Sequence, residues 1–371
     1  MRRCTVLSIV LILFTGVGKA AEPAKADEGA KAVAAARDRG LDWLTKNQAA
    51  DGSWGKTFTI GITSMACLAY LSAADEPFTG ERGKALVKGL QFLLANQKEG
   101  LFPAQGGHKF WSHGQGFATL ALAEAYGRSL RCKVKPDIDS KKVRAVIVQS
   151  VKELTKRQHA SGGWAYGPDQ PNFVEGSTTV CVVQALVSAR NYGIDIDSTV
   201  LDKGFEYLKK CQNEDGSFHY VQGDRQSMKG GTAAGVATLA LMEKFDFKVM
   251  INSYKYLLKF TPAGMSAPHT PWYFPFYGHF YGCMGMHLLG QEFNDDKEFR
   301  TSTAGYIAET QKDLVAWQEK DGHWQNKGWI KDQEKGETAA YGTSFATLTL
   351  FVPAGRLSIY NRTPPKLPQK G

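Results

Sequence analysis

Two kinds of apolar segment alternate along the chain. In the first, Lys, Glu and Arg occupy one face of an otherwise apolar helical pattern, as over 141–157. That spacing predicts an amphipathic helix lying on a core. The second kind is rich in Ala, Gly, Thr and Leu and nearly free of charge. It covers 62–71, 114–126, 178–189, 233–243, 278–289 and 341–351. A helix apolar on every side is a buried helix, and small residues let such helices pack closely. Strand signals are scarce. The alternation predicts an all-α protein with an inner ring of six helices inside an outer ring of six.

A short motif closes each outer helix: Leu, three residues, Gln, a polar turn, Gly, one residue, then an aromatic. It reads Leu44, Gln48, Gly52, Trp54 in the first copy and Leu93, Gln97, Gly100, Phe102 in the second. Further copies are Leu154, Gln158, Gly162, Trp164; Leu208, Gln212, Gly216, Phe218; and Leu314, Gln318, Gly322, Trp324. A degenerate copy begins at Leu257, where Thr261 replaces the Gln. The copies stand 49 to 61 residues apart, and a recurrent period of this size argues for one closed array rather than two domains. The Gly supplies the positive φ that a helix C-terminus favours. The aromatic can pack back over the helix end, and the Gln amide can bond free carbonyls or the neighbouring repeat. The motif is therefore structural, and Gln48 and Trp54 read as core.

The pattern Lys/Arg-Gly-x-x-aromatic-Leu-x-x-x-Gln-x-x-x-Gly-x-Trp, present over 39–54 and with Phe218 for Trp over 203–218, resembles the repeat of squalene and oxidosqualene cyclases. More loosely it resembles that of protein prenyltransferase beta subunits. The resemblance covers roughly residues 30–352. It implies an α6/α6 toroid, a double ring of six helical hairpins, with a central apolar cavity, but not a function. The family's Asp-x-Asp-Asp-Thr acid has its nearest counterpart in Val174-Glu175-Gly176-Ser177-Thr178, where only the Thr matches. Asp137, Asp139, Asp195 and Asp197 precede outer helices and read as turn and N-cap residues. His279 resembles the zinc-binding His of the prenyltransferases, yet no Asp-x-Cys partner accompanies it, so no metal or other cofactor is expected. The thioester motif of related toroids is absent as well. Neither squalene cyclisation nor prenyl transfer to protein is therefore expected.

A constellation emerges when the inner helices are aligned on FATLAL at Phe117, VATLAL at Val236 and FATLTL at Phe345. Four residues earlier lie His113, Thr232 and Tyr341, and the same register gives Gly61, Ser177 and His279 in the other repeats. Glu175 and Glu337 sit two and four residues upstream of this slot. Equivalent positions in a closed array share one height, so His113, Glu175, His279, Glu337 and Tyr341 are the candidate catalytic residues at one mouth of the toroid. They suit general acid–base chemistry or a divalent metal. Set against this, polar residues in the first turn of a helix also cap backbone N–H groups. Trp111, Trp272, Tyr277 and Tyr281 are candidate ligand contacts, and Tyr273 and Phe274 extend the same aromatic group. The loops 99–112, 163–176, 217–231 and 262–277 would carry function on a rigid scaffold. His287 reads as a buried, satisfied core residue, and His219 and His323 as surface turns.

Composition adds a cellular address. Residues 1–20 have Arg2 and Arg3, an apolar run over 6–17 and Gly18-Lys19-Ala20, the pattern of a secretory signal peptide. Residues 21–28 read as a polar linker, 29–353 as a single toroid and 354–371 as a loose, Pro-rich tail. Loss of the signal peptide removes Arg2, Arg3 and Lys19 and lowers the formal charge from +9 to +6. Nucleic acid is not implied, and no later stretch is long and apolar enough to span a membrane. Five cysteines would remain, with irregular spacing and no CxxC pair, so neither a disulfide framework nor a zinc ribbon is indicated. The expected partner is a small or lipid-like ligand; a protein partner is not specified. Three functions fit: a protein that handles an isoprenoid-like apolar ligand, a carbohydrate-active hydrolase or lyase, and a noncatalytic binding or scaffold protein.

Overall fold

A computed structural model describes residues 23–104, 111–167, 170–224, 229–242, 247–259, 274–325 and 335–363. Trp272, Tyr273 and the signal segment lie outside these residues. Twelve α-helices are found among them: α1 (Pro23–Lys46), α2 (Thr59–Ala73), α3 (Gly80–Ala95), α4 (Trp111–Arg131), α5 (Ser140–Lys156), α6 (Gly176–Asn191), α7 (Ser198–Lys210), α8 (Lys229–Ala240), α9 (Phe247–Lys259), α10 (Pro275–Glu292), α11 (Lys297–Trp317) and α12 (Lys335–Phe351). A two-residue antiparallel ribbon, β1 (Trp164–Ala165) with β2 (Val174–Glu175), leads into α6.

The two helix types behave as their patterns require. On α5 the buried residues are Val143, Val146, Ile147, Ser150, Val151 and Leu154, one helical stripe. Its N-terminus is capped by Asp139, which accepts from the Lys141 N–H at 2.8 Å. On α6 every residue from Thr178 to Ala189 is buried. The even-numbered helices form the inner ring, each packed on the next, with α12 returning to α2. Each outer helix packs most extensively on the inner helix that precedes it: α3 on α2, α5 on α4, α7 on α6, α9 on α8 and α11 on α10. By the same rule α1 packs on α12, so the two ends of the chain complete one hairpin and the ring is closed.

The motif at each outer helix end supplies the joints. Gln48 Nε2 donates to the Gly52 carbonyl at 2.8 Å and to Ala85 of α3 at 2.8 Å. Gln158 does the same with Gly162 and Val200, and Gln318 with Gly322 and Ala36. The last pair ties the sixth repeat to the first. The indole N–H of Trp54, Trp164 and Trp324 donates to Leu44, Leu154 and Leu314, capping free carbonyls at the outer helix end. The glycine is fixed twice over. Gly52 and Gly322 have φ of 91° and 99°, and a Cβ there would stand 2.5 Å from the Lys88 carbonyl and 2.6 Å from that of Arg39.

Two expected boundaries are corrected. Residues 23–28, read as linker, already belong to α1. The tail expected to be loose from 354 is packed through residue 360: 3-10 turns at Val352–Ala354 and Ser358–Tyr360 carry it across the C-terminal ends of the inner helices, and Leu357, Ser358, Ile359 and Tyr360 are fully buried. Its anchor is Glu124 of α4, which is buried. Glu124 accepts from the Ser358 N–H at 2.9 Å and hydroxyl at 2.6 Å, the Ser188 hydroxyl at 2.9 Å and the Tyr192 hydroxyl at 2.8 Å. Arg362 extends the anchor to Glu292 at 2.8 Å. Among the described residues no helix is long and apolar enough to cross a membrane.

Candidate functional site

At the opposite end, the N-terminal halves of the inner helices surround a cavity of about 200 Å³. Gly61, Gly114, Gly176, Gly230 and Gly278 make the space, and Phe58, Met65, Phe117, Phe345 and the rings of Tyr277 and Tyr341 make most of its wall. Its polar lining residues are His113, Ser177, His219 and the tyrosines Tyr166, Tyr220, Tyr277 and Tyr341.

The polar wall is organised by the start of α6. Glu175 precedes that helix and accepts from the N–H groups of Ser177 and Thr178, both at 2.6 Å, and from the Ser177 hydroxyl at 2.8 Å. It is an N-cap, and its charge suits the positive end of a helix. Burial nevertheless pushes its carboxyl up to about 7, against the opposing pull of the Ser177 and Thr178 hydrogen bonds. Ser177 Oγ stands 2.9 Å from His113 Nε2. Burial pushes the His113 imidazole down to about 4, so the ring is neutral at ordinary pH. While Glu175 is ionised it holds the Ser177 hydrogen, and His113 donates from Nε2. When Glu175 is protonated the chain can reverse, with Ser177 donating to His113. The three residues thus form a path along which a proton can pass between the cavity wall and a buried carboxyl. Tyr166 and Tyr220 hydrogen-bond through their hydroxyls beside this path, and the Tyr166 ring meets that of His113 edge-on at 5.4 Å.

The candidates separate accordingly. His113, Tyr341 and Tyr277 line the cavity, and Glu175 lies one hydrogen bond behind it through Ser177. Trp111 instead donates from its indole to the Phe102 carbonyl at 3.1 Å and carries the Arg157 guanidinium over its ring at 5.2 Å. Tyr281 is fully buried, its ring 4.6 Å from Tyr277 and its hydroxyl 3.4 Å from Gln184. Glu337 falls on α12, its side chain outside the described residues.

His279 and Thr232 face away from the cavity, and the reason is a register slip. Loop aromatics donate their backbone N–H to an inner-helix hydroxyl: Trp54 to Thr63, Trp164 to Thr179, Phe218 to Thr232 and Trp324 to Thr343, at 2.9 to 3.1 Å. For Thr63, Thr179 and Thr343 that hydroxyl lies two residues after the cavity positions Gly61, Ser177 and Tyr341, so in the fourth repeat the cavity position is Gly230. Aligning VATLAL with FATLAL displaces this helix by two residues, which turns it by about 200° and exchanges its faces. His279 is buried with its ring 5.0 Å from Trp317 of α11, and the cavity position on α10 belongs to Tyr277. His219, read as a surface turn, lines the cavity. Tyr166 and Tyr220 carried no signal beyond their place in the long loops 163–176 and 217–231.

Among the described residues, no group of three or more His, Cys, Asp or Glu is placed to hold a metal ion. All five described cysteines are buried and free.

A family model, the prenyltransferase alpha-alpha toroid domain, matches residues 128–267. No curated protein sequence matches the chain. Among solved structures, the type II terpene cyclase MstE from Scytonema, as a variant in complex with merosterolic acid A, is 15% identical with a TM-score of 0.57, over 89% of this chain and 99% of that one. A protein from Actinoplanes is 16% identical with a TM-score of 0.58, over 87% and 99%. An alpha-1,6-mannanase from Salegentibacter is 10% identical with a TM-score of 0.66, over 87% and 99%. The fold is that of the prenyltransferase and terpene-cyclase toroids, and a glycoside hydrolase shares it.

Proposed function

We propose that this protein binds a small apolar, isoprenoid-like molecule in the cavity at the N-terminal ends of its inner helices. The observation that carries the reading is the wall itself, built of aromatic rings, aliphatic side chains and glycine, with the polar residues His113, Ser177, Tyr166 and Tyr220 linked to one another. Such a surface gains by burying hydrocarbon. An apolar cavity of about 150 Å³ takes benzene, so about 200 Å³ suits a single substituted ring or one part of a longer chain. A glycoside hydrolase needs two carboxyl groups flanking its substrate. Here no Asp or Glu is among the described lining residues, and the carboxyl of Glu175, one hydrogen bond behind Ser177, is held by the start of α6. The terpene cyclase likeness agrees with the apolar reading. We also propose that the protein acts outside the cytoplasm, on the signal-like pattern of residues 1–20; a mature N-terminus just after Ala20 in exported material is the expected mark.

Gly61 tests the cavity. It lines the space, and a Cβ built on it meets nothing within 4 Å. Gly61→Phe should fill the cavity without a clash and abolish calorimetric binding of the ten-carbon cyclic hydrocarbon limonene, with the melting temperature unchanged or raised. Undiminished limonene binding by a folded variant would place the guest elsewhere and sink the proposal.

A further inference from the structure

The cavity wall is apolar but not uniformly so. Tyr277 Oη and His219 Nδ1 are buried side-chain atoms without a hydrogen-bond partner among the described residues, and both residues line the cavity. Neighbouring polar groups are provided for: Tyr166 and Tyr220 bond each other, and Ser177 bridges His113 and Glu175. A buried polar atom without a partner costs about 1–3 kcal/mol, and such atoms in native proteins call for an explanation. The two belong to one corner. The backbone carbonyl of Tyr220, next to His219, accepts from the Gly176 N–H at 2.8 Å, and a Cβ on Gly176 would lie 3.6 Å from the His219 carbonyl. Tyr277 reaches the same corner from α10: a Cβ on Gly230 of α8 would lie 3.5 Å from its ring, and Thr232, two residues on, accepts from the Phe218 N–H next to His219. Burial, with Cys181 and Glu175 nearby, holds its hydroxyl well above the usual tyrosine range. That hydroxyl therefore stays a donor at ordinary pH.

We propose that the apolar guest carries one neutral oxygen head group, a ketone or an alcohol, that docks on the Tyr277 hydroxyl and His219 at the start of α6. This rests on the reading of the cavity as an apolar-ligand site and narrows it to a chemical class. A hydrocarbon alone would leave both polar atoms unsatisfied, whereas a single oxygen answers at least the tyrosine. An anionic head, carboxylate or diphosphate, is disfavoured. No Lys or Arg is among the described lining residues, and the carboxyl of Glu175 lies behind the same corner.

Three probes on one ring skeleton test it: limonene, its ketone carvone and the carboxylate perillate, titrated calorimetrically at pH 8 into wild type and Tyr277→Phe, with thermal melts to confirm folding. Carvone should bind wild type about tenfold more tightly than limonene, the worth of one hydrogen bond. Perillate should bind more weakly than either. Tyr277→Phe should bring carvone to within about twofold of limonene while leaving limonene itself within about twofold of wild type. Equal binding of carvone and limonene by wild type, a carvone preference that survives Tyr277→Phe, or perillate as the tightest guest would each overturn the head-group assignment while the apolar-ligand reading stands. Failure of limonene to bind wild type at all would instead overturn that underlying reading and this inference with it.

Discussion

The toroid holds a buried glutamate at each end, and the two do different things. Glu124, at the C-terminal end of the inner ring, joins three separate parts of the chain: α4 carries it, α6 and its C-cap supply the Ser188 and Tyr192 hydroxyls, and the terminal segment supplies Ser358. Glu175, at the N-terminal end, draws all its donors from residues two and three positions ahead. Distant donors make a carboxyl a clamp, since moving any partner breaks the set. Local donors make it a cap, satisfied by its own helix and able to pass a hydrogen bond onward, here through Ser177 to His113 at the cavity. The clamped end is filled by the tail and the capped end is hollow.

That contrast can be broken most forcefully at Glu124. Glu124→Ala leaves the hydroxyls of Ser188 and Tyr192 and both donors of Ser358 without their acceptor. It should lower the unfolding free energy by about 4 kcal/mol, several unsatisfied buried groups at once, and make the chain cleavable near residues 352–363 under native conditions. Urea melts and limited proteolysis would show this. A loss below about 1 kcal/mol would mean that the tail is held by its apolar residues alone.

At the other end the expected sign is reversed. The folded protein holds the Glu175 carboxyl at about 7 against an ordinary 4.5, so its contribution to stability is complete below about 4.5 and is lost as pH rises through about 7. Glu175→Gln keeps one acceptor oxygen for the N–H groups and cannot ionise. Relative to wild type it should gain roughly 2–3 kcal/mol between pH 4.5 and pH 8. Parallel stability–pH curves for the two proteins would show that Glu175 does not carry the shift.

The smallest effect at neutral pH belongs to His279. Neither ring nitrogen has a hydrogen-bond partner among the described residues, and the ring lies against Trp317. His279→Phe keeps the aromatic contact and removes two orphaned atoms. At pH 7.5 it should be neutral or stabilising by about 1 kcal/mol. Burial holds the imidazole at about 4 against an ordinary 6.5. The stability it contributes is therefore complete above about 6.5 and lost as pH falls through about 4, so the variant should gain on wild type in acid, opposite in direction to Glu175→Gln. Destabilisation by more than about 2 kcal/mol at pH 7.5 would mean that His279 has a partner and a role.

The same two ends show how far the sequence could be read. The capped end was legible because its logic is local: Glu175 stands just before an apolar helix and is followed by Ser and Thr, and such a cap needs only its neighbours. His113 and Tyr341 were legible too, since in their repeats the apolar strings lie in true register. In the fourth repeat VATLAL imitates FATLAL two residues late, and in the fifth His279 was placed in the cavity slot that Tyr277 fills. On a helix that error turns the residue to the opposite face, so Thr232 and His279 were misassigned while the helices that carry them were not. The clamped end was invisible. Glu124 lies within a segment that read as nearly free of charge, and the terminal segment has the composition of a loose tail.

What the sequence determined by itself follows from periodicity. Six alternations of amphipathic and wholly apolar helices, five of them ended by the same Gln, Gly and aromatic, permit little besides a double ring, because each of those copies solves the same local problem of stopping a helix and burying its end. Only the tertiary structure decided which residues of the inner helices meet at the centre. It decided that α1 completes the hairpin begun by α12, that the tail fills one end, and that Tyr277 and His219 bring polar atoms to the other. Those outcomes depend on contacts between residues far apart in the chain and on the rotation of each helix about its axis, neither of which a local pattern encodes.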